Sequence, residues 1–82
     1  MSNLENKLKK IIDTFNNVNK EIAFNDIKKL SEKYNKNINV QNILYQISMK
    51  VGDTDTSINA LKKFCLLIKI TFYTFLNYIN YF

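Results

Sequence analysis

Asp53 and Asp55 stand one residue apart in Asp53-Thr54-Asp55-Thr56-Ser57, the closest pair of carboxylates in this 82-residue chain. Oxygen donors at that spacing point to one of two chemistries: a hard cation held by carboxylates and carbonyls, or a general acid working beside a general base. The same five residues also read simply as a turn, because Asp, Ser and Thr hydrogen-bond their own backbone. A second polar run, Asn16-Asn17-Val18-Asn19-Lys20-Glu21, offers amide oxygens but few charges. The chain has no histidine, which excludes histidine bases and histidine metal sites. Ser2, Ser31, Ser48 and Ser57 therefore lack a neighbouring base, and Gly52, the sole glycine, cannot make a phosphate-cradling loop. The expectation is a protein that is not an enzyme.

Composition narrows the class further. At 82 residues the chain forms one domain with a thin core, and 46% hydrophobic against 23% charged residues reads as globular. The net charge of +5 comes from lysine alone, since arginine is absent. Without the flat guanidinium fork, no specific nucleic-acid partner is expected. Asn, Ile and Lys supply 36 residues, all types favoured by A- and T-rich codons, which discounts the basic charge as evidence for a partner. The single Cys65 excludes an internal disulfide and, with a polar N-terminus that is no secretory signal, fits a reducing, cytoplasmic setting.

The elements that would position these residues are helical throughout. Leu8, Ile11, Ile12 and Phe15 fall at i, i+3, i+4 and i+7, one face of a first helix ending near Phe15. Ser2 and Glu5 are spaced as a capping box at its start. A second helix is expected from about Phe24, through Ile27 and Leu30, to Tyr34. Asn39 is the expected cap of a third, with Val40, Ile43, Leu44, Ile47 and Val51 on one face and Gly52 at its end. Asn59 is the expected cap of a fourth, whose inward face begins with Leu61, Phe64, Cys65 and Ile68. No proline and no lasting alternation compete with the helical period, so the fold class is all-α.

Two helices around a short polar loop, with Ile22 leading into the second helix and Ile58 in the matching place thirty-six residues on, resemble a pair of EF-hands. Over roughly residues 4–68 the chain is similar to one lobe of calmodulin or a single-lobe myosin light chain. The resemblance implies a four-helix lobe over residues 1–70 with a hydrophobic extension of helix four over 71–82. It also implies a short antiparallel bridge between Ile22 and Ile58. In its register Phe15 takes the opening aspartate's place, Asn17 and Asn19 the next two, Lys20 the glycine's and Asp26 the closing one. In the second loop Val51 opens, Asp53 and Asp55 follow, Thr56 replaces glycine and Lys62 stands at the closure. A cation at the closing position repels the ion it should hold. No cofactor and no calcium binding are therefore expected, and Asp53 and Asp55 are the only residual candidates. Lobes of this kind grip an amphipathic helix of a larger protein, such as a myosin heavy chain, in a groove between their own helices. The resemblance places Phe15, Ile27, Leu30, Ile47, Met49 and Phe64 in that groove, each of which is equally a candidate for ordinary core. Light chains are acidic where they clasp basic segments. Here the acids to do so are Glu21, Asp26, Glu32, Asp53 and Asp55, on a chain that is net positive.

The last nineteen residues, 64–82, are apolar and aromatic with Lys69 as their one charge. Three readings stand side by side. The excess apolar surface docks on a partner or a second copy. Alternatively, the stretch is the anchor of a small tail-anchored membrane protein, with Lys62 and Lys63 at its flank, although a charge within a span costs about 2.5–3.5 kcal/mol. Or the stretch is a gene-model artefact, an A- and T-rich intron read into the last exon, and the chain is a truncated fragment of a longer EF-hand protein.

Overall fold

The structure, a computed structural model, describes residues 3–80, without the side chains of residues 75 and 78–80. The capping box expected at Ser2 and the last two positions of the expected tail lie outside the described residues. Among these residues the chain forms four helices and no strand: α1 (Asn3–Asn17), α2 (Lys20–Lys33), α3 (Ile38–Val51) and α4 (Thr54–Asn80).

The starts of α2, α3 and α4 are each set by a side chain that takes up an orphan backbone N–H. Asn19 caps α2, its side chain accepting from the N–H of Glu21 at 2.8 Å and of Ile22 at 3.1 Å. That cap starts α2 four residues before the expected Phe24 and shrinks the first connection to residues 18–19. Asn37, not Asn39, caps α3 by accepting from the Val40 N–H at 3.1 Å. Asp53, not Asn59, opens α4 by accepting from the Thr56 N–H at 3.1 Å. Gly52 ends α3 where expected, in the left-handed conformation with φ of 86°. A Cβ there would meet nothing within 4 Å. Gly52→Ala is thus expected to lose only the left-handed conformational preference. That is about 1–2 kcal/mol, read as a melting point lower by roughly 4–15 °C.

The connection lengths bear directly on the EF-hand register. Of the twelve positions 15–26 only residues 18 and 19 lie outside a helix, and of 51–62 only residues 52 and 53. A calcium loop needs most of about twelve residues in an open, non-helical path. The bridge expected between Ile22 and Ile58 is corrected in the same way. Both residues sit in the first turns of their helices, where their backbone groups serve the helix, and both are half-exposed (50% and 44%).

Helices pack in chain order, α1 on α2, α2 on α3 and α3 on α4, with a light contact between α1 and α3. Leu8, Ile11 and Phe15 of α1, Ala23, Ile27 and Leu30 of α2, and Val40, Leu44 and Ile47 of α3 form the core. Each large one contributes about 1.5–3 kcal/mol by leaving water. Gln41 is wholly buried among them; its Nε2 donates to Ser31 Oγ and to the Asn35 carbonyl, both at 3.1 Å, tying α3 to α2 and to the turn between them.

The fourth helix adds little to that core. Its α3-facing stripe is Ser57, Ala60, Phe64 and Leu67, of which only the two small residues are buried. Buried Ser48 lies on α3, and small residues of this kind let two helices approach closely. The inward face expected at Leu61, Cys65 and Ile68 is thereby turned outward, leaving all three exposed. With no glycine or proline inside it, α4 also crosses the expected boundary at residue 70 without a break. At 1.5 Å per residue it is about 40 Å long against about 21 Å for α3, so roughly half of it runs past its one neighbour.

Candidate functional site

The six residues expected to line a target groove do not meet in one place. Phe15, Ile27, Leu30 and Ile47 are core residues, Phe64 is half-buried on α4 and Met49 is exposed on α3. Phe15 and Ile47 share a depression of about 320 Å³ between α1 and α3, with Ile12 and Ile43. The Phe15 ring is flanked there by the Lys20 and Lys50 ammonium groups, each 5.6 Å from its centroid. Leu30 belongs to a different groove of about 320 Å³ between α1 and α2. Its floor is Ile11 and Leu30, and Lys7, Lys10, Lys29 and Lys33 surround it with Asp26.

Asp53 is engaged as a cap, and its carboxylate is held below the ordinary value of 3.8 chiefly by the Thr56 backbone N–H. The Thr56 hydroxyl lowers it further, burial opposes both, and the charge of Lys28 lowers it least. A depressed folded-state pKa gives stability that is present above the ordinary carboxylate value and is lost as pH falls through the folded one. Asp53→Asn should therefore flatten the decline of the urea midpoint as pH falls below the ordinary carboxylate value of 3.8. An unchanged decline would remove the cap from the account. Asp55 lies exposed in the first turn of α4, and no group of three or more Cys, Asp or Glu residues among the described ones is placed to hold a metal ion.

The surface that sets this molecule apart is the flank of α4 that α3 leaves open. Ile58, Leu61, Cys65, Ile68 and Phe72 follow at spacings of three, four, three and four residues, all exposed, with Leu76 a further turn on. Such spacing is that of a coiled-coil seam, a narrow apolar stripe that faces one partner helix. Beside it Ile38, at the start of α3, forms with Ile68, Thr71 and Phe72 an apolar groove of about 350 Å³. Met49 stands three turns along α3 on the same face as Ile38 and is 56% exposed. The hydroxyls of Thr71 and Thr74 donate back to the carbonyls of Leu67 (2.9 Å) and Ile70 (3.0 Å), so they add little polarity to the surface.

Sequence reasoning does not find this seam, because Leu61, Cys65 and Ile68 fall at the spacing of an interior face. The signal that finds it is the pair of small residues, Ser57 and Ala60, one turn apart, which mark where a neighbouring helix can come close. Among the described residues no helix is long and apolar enough to cross a membrane. Although α4 has the length, Lys69, Thr71, Thr74 and Asn77 interrupt its apolar run.

No family model, no curated protein and no solved structure matches the chain. A functional reading therefore starts from the exposed flank of α4 itself.

Proposed function

We propose that this protein is a small, non-catalytic helix-binding module that takes an amphipathic target helix along the open flank of α4. The observation that carries this is one of distribution. Among the described residues, eight of the twelve exposed large hydrophobic residues lie on α4, and five of those eight, Ile58, Leu61, Ile68, Phe72 and Leu76, line the seam. Exposed apolar residues scattered singly need no explanation, but a contiguous line of them at coiled-coil spacing does. The groove beside Ile38 is concave, which suits a cylinder laid against it.

In this reading the clasping residues are Ile58, Leu61, Cys65, Ile68 and Phe72, with Phe64, Ile38 and Met49 at the margins. Phe15, Ile27, Leu30 and Ile47 hold up the scaffold behind them. The role is that of a subunit on a helix of a larger protein, as a light chain is, but reached without EF-hand loops, calcium or any cofactor, and in a cytoplasmic setting.

Fluorescence anisotropy of labelled heptad peptides tests it. Binding should be unchanged by calcium or chelator, and Ile68→Glu with Phe72→Glu should weaken it by about 100-fold or more. Retained binding in that double variant would move the site elsewhere.

A further inference from the structure

The two rims of the α4 seam differ. One is α3 itself. The other carries Asp55, Lys62 and Lys69, all exposed and successive heptads apart, the two lysines four residues after the seam residues Ile58 and Cys65 respectively. Asp55 is the one acid on that rim; beyond it the chain has no acidic residue, so from Lys62 onward nothing on α4 neutralises the lysines.

Resting on the helix-binding reading above, we propose that the helix seated on α4 is acidic: apolar at three- and four-residue spacing, with Glu or Asp along the edge that meets Lys62 and Lys69. Charges flanking a coiled-coil seam choose the partner and its direction, because opposite charges meet there and like charges repel. A second copy of this chain matches the rim less well, because it brings one acid, Asp55, to two lysines. Antiparallel pairing sets Lys62 against Lys62 and leaves each Lys69 only the other copy's Asp55 as a counter-charge, and parallel pairing sets each lysine rim against the other copy's α3. A basic target meets the same repulsion, added to the field of a chain of net charge +5. Lys7, Lys10, Lys29 and Lys33 around the α1–α2 groove extend that positive field to the far side of the molecule. An anionic lipid surface offers matching charge, but the wall that α3 makes along the seam, with the concave groove at Ile38, suits a cylinder better than a plane.

The test uses the full chain and three labelled peptides sharing one apolar heptad seam, with edge positions all Glu, all Lys or all Gln. At about 50 mM salt the Glu peptide should bind about tenfold tighter than the Gln peptide, and the Lys peptide more weakly than either. Raising salt to about 300 mM should shrink these differences. Lys62→Glu with Lys69→Glu should reverse the order in favour of the Lys peptide, with an unchanged melting curve showing that the variant is folded. As a second readout in the unaltered protein, the Glu peptide should slow maleimide labelling of Cys65.

Equal affinity for all three peptides would overturn the acidic preference and leave the helix-binding reading standing. Binding of none would overturn both. If none binds while the chain self-associates in sedimentation, or attaches to vesicles containing about 30% phosphatidylserine, the occupant is a second copy or a membrane, and the proposal falls.

Discussion

Ile27→Ala is expected to destabilise the chain by about 2–5 kcal/mol, whereas Ile22→Ala, five residues earlier in the same helix, should cost less than about 1 kcal/mol. Ile27 is fully buried at the meeting of α1, α2 and α3, while Ile22 keeps 50% of its surface in water. Removing three carbons from Ile27 forfeits their transfer free energy and leaves a cavity that the close packing of three helices can only partly refill. At a typical 0.05–0.15 kcal/mol per residue, an 82-residue chain has about 4–12 kcal/mol in hand, so the variant sits near the edge of folding. Thermal and urea unfolding followed by circular dichroism would measure both variants. Equal losses at the two positions would mean that the buried face of α2 is wrongly assigned. They would also reopen the bridging role of Ile22 that the helical first turn of α2 excludes.

The second large effect concerns binding rather than folding. Ile68→Glu with Phe72→Glu should abolish peptide capture yet leave the melting point within a few degrees of the parent. Both side chains are substantially exposed (45% and 57%), so little of the fold depends on them. On binding, each would lose about 1.5–3 kcal/mol of apolar burial. Each would also bring a carboxylate into a contact from which water is expelled, a further penalty unless a partner charge meets it. Together these exceed the roughly 2.7 kcal/mol that corresponds to 100-fold in affinity. A melting point that falls sharply would instead make residues 68–72 part of the scaffold, and the seam would lose its claim to be free surface. Combining the two experiments separates the layers: Ile27 is expected to act on folding alone, and the α4 pair on binding alone.

Much of the scaffold was legible in the residues. The period of Leu8, Ile11 and Phe15, and that of Val40, Leu44 and Ile47, named the buried faces of α1 and α3 before any contact was known. Gly52 marked the end of α3 because only glycine takes the left-handed backbone there without cost. Helix starts were less legible. Asn19, Asn37 and Asp53 cap the helices, but this chain has thirteen asparagines, and an excess of good capping residues leaves the choice among them to packing. Moving the α2 start from Phe24 to Lys20 turned an apparent loop into helix, and with it an apparent EF-hand loop into a two-residue connection.

The candidate site was the least legible part. From Phe64 onward α4 is apolar on every side, so periodicity alone cannot say which side meets α3 and which stays open. By itself the amino-acid order determined that the chain is helical, that α1, α2 and α3 each bury one regular stripe, and that the C-terminal third is short of charge. The tertiary structure decided the rotation of α4, because the small Ser57 and Ala60 seat against α3 more closely than Leu61 or Ile68 would. That rotation leaves the seam from Ile58 to Phe72 facing outward beside its two lysines.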